Sequence, residues 1–584
     1  MQLPYIPDDA PFSGDQRTWL AGFLAGLHSR SAMAADLAGG AIASAPAAQT
    51  LKPLDILYGT QTGTAEDLAQ QAAALARARG FQPRIEELDA IDMSRLAGME
   101  RAIIVISTYG EGEMPDNAHQ FWDALSGPDA PRLERLSFGV LALGDTGYEH
   151  FCQAGKLIDT RLEQLGAQRL GARVDCDVDF EDAAAAWLSS VLPADSGTAP
   201  AAAPTAEPAP AASKTGFGRK NPYAARLIQN RLLSGANSAK EIRHFAFDLG
   251  DSGLSYEAGD ALGVMPVNNP ALVQALLARL GAAPDLAIPG QDAGLSDLLT
   301  RRLEIRTPPR DLIAEIGKRA GHEELSHVLA NGDKEALEAF LWGRDTLDLL
   351  NLAPGLKLDA AEFLGWLKPL QHRAYSISSS PKAHPGEVHL TVAAVRWMAG
   401  DRAHGGVCST FLADQQGGSS PVFMSPNKSF RVPQDGSVPM IMVGPGTGIA
   451  PFRAFLEERR SLGATGMNWL FFGDQHRASD FIYEDEIGQM SASGFLTRLD
   501  LAFSRDQADK IYVQNRMEEN GRALFAALEE GGHFYVCGDA TRMARDVDAS
   551  LHRIIETQGG LTPEAATEYV NRLRRDKRYV RDVY

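Results

Sequence analysis

Cysteine is scarce: four residues in 584, at 152, 176, 408 and 537. None has CxxC or CxxH spacing, so neither a disulfide framework nor a zinc or iron–sulfur site is expected, and no metal is assigned. Such sparing use fits a reducing compartment and a cytoplasmic location. Positive charge is also short. Against 75 Asp and Glu stand 56 Lys and Arg, leaving a formal charge of −19 and a pI near 5.2. Nucleic acid, a polyanion, is a poor partner for such a surface, whereas a basic protein is a good one. Long apolar runs are missing as well. The most apolar early stretch, Trp19 to Leu27, is far too short to span a bilayer, and Asp8, Asp9 and Asp15 precede it where an export signal needs positive charge. Neither an anchor nor a signal peptide is expected.

At 62.8 kDa the chain is too long for one core, and its length calls for about three or four domains. Composition marks the joints. Residues 193–213 contain fourteen Ala or Pro in twenty-one positions and almost no bulky side chain, which reads as an extended, hinge-like linker. A weaker Ala-rich stretch, 32–49, follows the first thirty or so residues. The expected division is a segment and spacer at 1–51, a domain at 52–192, the linker at 193–216, a part at 217–432 with a helical insertion at about 270–368, and a domain at 433–584. Before the spacer, Trp19, Leu20, Phe23, Leu24 and Leu27 recur at helical spacing opposite the small Thr18, Ala21, Gly22 and Ala25. A short helix with one bulky apolar face and no core of its own implies a homo-oligomer held by this segment.

In the domain at 52–192, short apolar runs (54–58, 102–106, 138–143) alternate with helix-like segments such as 65–79 and 155–165, the rhythm of a doubly wound parallel sheet. Ligands in such sheets sit at the carboxyl ends of the strands. Three loops lie there. Thr60, Gln61, Thr62, Gly63, Thr64 and Ala65 offer hydroxyls and backbone amides to a phosphate at a helix start, where the plain alternative is a threonine-rich turn. Ser107, Thr108, Tyr109 and Gly110 add a ring and a glycine turn that approach a planar heterocycle. Leu143, Gly144, Asp145, Thr146, Gly147 and Tyr148 repeat the device, and Tyr109 and Tyr148 are spaced to sandwich that heterocycle.

After the linker, the alternating runs 224–230, 244–249 and 389–396 read as an antiparallel barrel, and the Leu-, Ala- and Glu-rich stretch between them as inserted helices. Arg373, Ala374, Tyr375 and Ser376 present a cation, an aromatic ring and a hydroxyl on one strand. Gly405, Gly406, Val407 and Cys408 precede an apparent helix at 410–414. From 438 the strand–loop–helix rhythm returns, with 444–451 as a Gly-rich loop that is not the G-x-G-x-x-G fingerprint. Ser504, Arg505, Lys510 and Tyr512, two cations with a hydroxyl and a phenol, suit the 2′-phosphate of NADPH better than the ribose diol of NAD.

Taken in this order, the loops resemble those of the diflavin reductases, and the loop from Leu143 on, continuing through Glu149, His150, Phe151 and Cys152, is similar to that of the sulfite reductase flavoprotein family. The resemblance runs from Phe12–Phe23 to the terminal Arg578-Tyr579-Val580-Arg581-Asp582-Val583-Tyr584, and takes in Tyr535-Val536-Cys537-Gly538-Asp539 with an arginine-containing helix beginning near Ala540. It implies an α/β multidomain chain: a flavodoxin-like FMN domain, then a ferredoxin–NADP reductase-like antiparallel FAD barrel with a helical insertion, and an α/β NADP domain. It also implies that Thr391, Val392, Ala393 and Trp397 contact FAD and that Ile511, Val513, Gln514 and Asp546 contribute to the NADPH site. Tyr584 would cover the flavin, and Ser376, Cys537 and Asp582 would surround the nicotinamide as catalytic residues. Cys408 stands where the family has a small hydroxyl residue. The implied activity is an NADPH-dependent oxidoreductase passing electrons through FAD and FMN to a separate sirohaem and iron–sulfur haemoprotein that reduces sulfite. No haem or cluster ligand set occurs in this chain. A soluble reductase for another haemoprotein, such as a monooxygenase, is the alternative.

Overall fold

The computed structural model describes residues 52–61, 63–110, 112–146, 150–193 and 216–584. The helix expected before Ala32, the linker between Pro193 and Gly216, and the loop residues Thr62, Gly147, Tyr148 and Glu149 lie outside the described residues.

The first sheet is formed by β1 (Lys52–Gly59), β2 (Phe81–Glu87), β3 (Arg101–Ser107), β4 (Ser137–Leu143), β5 (Gln168–Arg169) and β6 (Val174–Cys176). Its order is β2-β1-β3-β4-β5, with β6 also on β4, and the β1–β3 and β3–β4 pairs are parallel. The order reverses between β1 and β3, which opens a crevice at their carboxyl ends. Strand side chains point alternately to the two faces, so an unbroken apolar strand feeds two cores. Leu57, Ile104 and Ile106 enter one, while Ile56, Tyr58, Ile103 and Val105 enter the other. The helix Thr64–Ala78 covers the second core with Ala65, Leu68, Ala69, Ala72, Ala73 and Ala76, an i, i+3, i+4 stripe.

From β7 (Tyr223–Leu232) the chain turns antiparallel, with β8 (Glu241–Asp248), β9 (Ala261–Val264), β10 (Arg373–Ser376), β11 (Glu387–Ala394), the hairpin β12 (Arg396–Ala399) and β13 (Arg402–Gly405), and β14 (Ser419–Ser425). The sheet order β10-β9-β14-β7-β8-β11 is closed into a barrel by the bridge Ile377–Leu390. Between β9 and β10, short helices from Pro270–Leu280 to Ala360–Trp366 pack around a core of their own. A second parallel sheet follows, ordered β17-β16-β15-β18-β19, from β15 (Met440–Val443), β16 (Asn468–Asp474), β17 (Arg498–Phe503), β18 (His533–Gly538) and β19 (Tyr579–Val583). The segment Pro53–Tyr584 forms one compact unit.

Two helix starts differ from the sequence reading. The helix expected from Thr410 runs Val407–Ala413, because Gly406 takes the cap position and its carbonyl receives both the amide and the hydroxyl of Thr410. The helix expected near Ala540 begins at Met543, because the Asp539 carboxylate takes the amides of Arg542 and Met543 and turns residues 540–542 first.

Candidate functional site

At the end of β1, Gly63 adopts φ +92° and caps the helix Thr64–Ala78 without any side-chain cap. Its N–H bonds the Thr60 hydroxyl (2.9 Å), the Thr60 amide bonds Asn117 Oδ1 (2.7 Å), and Gln61 Oε1 receives the Asp116 amide (3.0 Å). The loop is thereby shaped by its own polar groups. The amides of the first helical turn, Thr64 and Ala65 included, are left for an anion. Beside it, Ser107 ends β3 and the Thr108 amide reaches Leu143 O at the end of β4 (2.9 Å), while Gly110 takes φ +52° to turn the loop. The Gly144 amide bonds Cys176 O (3.0 Å), and Thr146 is held through its amide and hydroxyl by Asp177 (3.0 and 2.5 Å), with Asp145 between them. His150 and Phe151 lead into Cys152, whose φ of +55° opens the helix Gln153–Gln164. The described parts of the three loops thus meet at one strand edge.

On the barrel, Arg373 is exposed, donates to the neighbouring carbonyls of Gln371 and His372, and lies 3.8 Å from the Glu304 carboxylate. Tyr375 packs against the barrel core, where the buried Cys408 thiol donates to Val264 O (3.9 Å) and burial pushes that thiol up to about 12. Cys408 therefore offers the helix start only its backbone. Gly405 and Gly406 lead into that start, with no side-chain cap at Gly406. Val392 lies in the barrel core beside Ala393, and Thr391 Oγ1 is 2.7 Å from the Tyr483 hydroxyl. The Trp397 ring packs on Arg306 and His404 and donates to Gly343 O (2.9 Å).

A cavity of about 710 Å³ opens at the carboxyl ends of the second parallel sheet. Ser504, Arg505, Lys510, Tyr512, Val513, Gln514, Asp546 and Tyr584 line it together with Gly446 and Thr447. Ile511 packs instead against the hydrophobic core behind the cavity. The Gly-rich loop is pressed onto β18: a Cβ on Gly448 would stand 2.1 Å from Cys537 O. Among the described residues no carboxylate pairs with Arg505 or Lys510, so two cations stand ready for phosphate, and the residues fit a phosphorylated coenzyme. Sequence reading missed Lys240, Asp474 and Arg542, which line the same cavity. Lys240 bonds Asp474 Oδ1 at 2.6 Å, and the other Asp474 oxygen is buried without a partner. Lys240 precedes β8, some 200 residues before the sheet it serves, and no local pattern marks it.

Ser376, Cys537 and Asp582 come together from β10, β18 and β19. The Ser376 hydroxyl donates to Asp582 Oδ2 (2.6 Å), and the Cys537 thiol is 3.9 Å from the same oxygen. Burial raises the Asp582 carboxyl above its ordinary range, opposed by these two donors. Burial, and then the Asp582 charge, push the Cys537 thiol well up, which keeps it protonated. Tyr584 is stitched to the cavity rim through Thr447 Oγ1 (2.9 Å) and the carbonyl of Gly538 (3.0 Å). Residues alternating with these reach the first domain. The Tyr109 hydroxyl donates to Val583 O (2.7 Å), and Arg581 grips Asp116 with two nitrogens.

The family model for flavodoxin matches residues 56–187, that for the FAD binding domain 215–411, and that for the oxidoreductase NAD-binding domain 442–549. The chain is 43% identical over 580 residues to the sulfite reductase [NADPH] flavoprotein alpha-component of Bacillus subtilis (strain 168), spanning 97% of this chain and 95% of that protein. It is 42% identical to the proteins of the same name from Mannheimia succiniciproducens, spanning 97% and 96% of the two chains, and Vibrio cholerae serotype O1 (strain ATCC 39315), spanning 98% and 94%.

Proposed function

The chain belongs to the family of sulfite reductase [NADPH] flavoprotein alpha-components, and from that premise we propose that it delivers electrons from NADPH, through FAD and FMN, to a separate sirohaem and iron–sulfur haemoprotein where sulfite becomes sulfide. When bound, the two flavins take electrons as a pair and release them singly, the conversion that joins a hydride donor to haem.

The protein's own residues divide the labour. In this proposal residues 52–192 hold FMN, with Thr60 and the amides of Gly63, Thr64 and Ala65 on its phosphate. Residues 217–432 hold FAD, with Arg373, Gly405 and Gly406 on the pyrophosphate and Tyr375 against the ring. Residues 433–584 hold NADPH, with Arg505, Lys510 and Lys240 on its phosphates. Asp582 orients the Ser376 hydroxyl, and Cys537 completes a pocket from which water is excluded. The observation that carries the reading is the run of contacts along β19: Asp582 bonds the barrel's Ser376 while Val583, the next residue, receives Tyr109 from the first domain. One strand of the second parallel sheet touches both the barrel and the first domain.

A homo-oligomer assembled through residues before Ala32 is part of the proposal, supported by their apolar spacing. So is a cytoplasmic location, supported by four free cysteines; among the described residues no helix is long and apolar enough to cross a membrane.

The test is reconstitution. Flavin-loaded protein should reduce an artificial one-electron acceptor with NADPH by itself, and should yield sulfide from sulfite only with the haemoprotein added. Reduction of the artificial acceptor without electron delivery to the haemoprotein would retain the reductase and overturn the assignment of its acceptor.

A further inference from the structure

Where the barrel meets the second parallel sheet, the segment His384-Pro385-Gly386-Glu387-Val388-His389 carries two imidazoles and a carboxylate that none of the flavin or nucleotide sites uses. Its local structure follows from its sequence. Proline followed by glycine sets a type II turn, and Gly386 has the positive φ (+81°) that the third turn position requires, with the Glu387 amide returning to His384 O at 3.2 Å. The turn brings positions 384 and 387 together. Glu387 then opens β11, where alternate residues share a face, so His389 joins Glu387 on one side of the strand. One ligand atom from each of His384, Glu387 and His389 lies within 4.8 Å of the other two.

Three observations mark this as more than a polar patch. His389 is 4% exposed, and its Nδ1 is buried with no hydrogen-bond partner. Its Nε2 is 2.9 Å from Glu387, and His384 Nε2 is 3.1 Å from Glu457. The His384 ring is thus oriented by a carboxylate outside the cluster, the arrangement that surrounds metal-bound histidine, while His389 already faces Glu387 within it and keeps its other nitrogen unpaired. The turn is open to solvent, because the His384 and Glu387 side chains are partly exposed. Charge also favours a cation: Glu387, Glu457, Glu458 and Glu486 face Arg453, Lys382 and Arg231, and those three cations are bound to the glutamates on helix Ala450–Ser461 and at 486. A second cluster, Asp345, Asp348 and His404, makes the contrast. There the Arg402 guanidinium bonds both carboxylates and fills the place a metal would take.

We propose that His384, Glu387 and His389 form a binding site for one divalent transition metal, with zinc the best match to two imidazoles and a carboxylate. Tetrahedral zinc sets its ligand atoms ~3.3 Å apart, so atoms now up to 4.8 Å apart must close by up to roughly 1.5 Å, which the partly exposed side chains of His384 and Glu387 permit. The open side leaves a fourth position for water. The same turn is tied to helix Ala450–Ser461, through Ser380 to Glu457 and Glu458 and through Ser378 O to Arg453. A metal here would stiffen the seam between the barrel and the coenzyme sheet.

The test uses the full-length, flavin-loaded protein stripped by chelator and then given Zn²⁺ in competition with a chromophoric chelator. One equivalent should bind, and His384→Ala and Glu387→Gln should each weaken it at least tenfold with flavin content unchanged. Bound Cu²⁺ should show electron paramagnetic resonance coupling to two imidazole nitrogens in the unmodified protein and to one in His384→Ala. Absence of zinc uptake, variants that bind zinc as tightly as the unmodified protein, or copper spectra without nitrogen coupling would each overturn the site.

Discussion

Asp582 shows how much one residue's environment decides. Its carboxylate is buried with a hydroxyl and a thiol as its donors, and the cations nearest in sequence, Arg578 and Arg581, are engaged elsewhere, Arg581 by Asp116. Arg505 and Lys510 are the opposite case, cations facing a cavity with no carboxylate partner among the described residues. Replacing both with alanine should raise KM for NADPH by about tenfold or more while changing KM for NADH little, since a charge-assisted phosphate contact is worth on the order of 1.5–3 kcal/mol. Equal effects in steady-state kinetics with the two coenzymes would remove this pair from the 2′-phosphate. Asp89 offers a pH signature. Burial raises its carboxyl to about 6, opposed mainly by the Phe121 amide it accepts. An acid raised on folding binds its proton more tightly when folded, so stability is full below the unfolded value of about 4 and falls as pH climbs to about 6. Asp89→Asn keeps an acceptor for Phe121 without the charge. It should stabilise the first domain at pH 7.5 by about 1–3 kcal/mol and leave the thermal midpoint at pH 4 nearly unchanged.

At the scale of the element, β19 is an edge strand whose successive residues serve different sites. Tyr579 bonds Asp548 (2.8 Å), Arg581 and Val583 meet the first domain, Asp582 meets the barrel, and Tyr584 ends on the coenzyme cavity. The Tyr584 ring lines the cavity, and in the proposed function a nicotinamide entering there would displace it. Deleting Tyr584 should therefore improve NADH use relative to NADPH and alter the flavin absorbance. Unchanged coenzyme preference and spectrum would show that the terminal ring does not compete.

For the whole molecule, the described arrangement has the first domain docked on the second parallel sheet. The Arg581–Asp116 pair, 18% and 27% exposed, is the central contact, with Arg545–Glu113 and Lys577–Glu87 at its rim. Burial opposes the Asp116 charge, yet Arg581 holds its carboxyl below the ordinary range. A depressed acid stabilises above its unfolded value and is lost only as pH falls through its folded one, so docking should not vary between pH 6 and 8 on account of this pair. Asp116→Ala leaves Arg581 without its partner, which should enlarge the radius of gyration in X-ray scattering and slow reduction of the FMN domain about tenfold or more. Hydride uptake on the barrel side should keep its rate. An unchanged radius and both rates intact would assign docking to the rim. A second prediction concerns assembly. A chain starting near Leu51 should be monomeric in light scattering and still reduce an artificial acceptor; if the full-length chain is also monomeric, the N-terminal segment is not the assembly element.

By itself the sequence determined the two parallel sheets, because unbroken apolar strands between helices have to be covered on both faces, and it placed the loops at their carboxyl ends, because glycines and hydroxyls cluster where such strands end. It marked the inserted helices through their apolar period, and the terminal string through likeness to known relatives. Helix starts were off by up to three residues, since the cap at Gly406 and the turn at Asp539 are hydrogen-bond choices that composition does not express. Only the tertiary structure decided what depends on distant partners. Lys240 reaches a sheet that begins 200 positions later, the Cys408 thiol turns into the barrel core rather than toward the helix start, and Arg581 finds Asp116 across 465 residues. Periodicity and turn chemistry act over a few residues along the chain. Ion pairs and shared carboxylates are set by how separate elements pack, which no local pattern encodes.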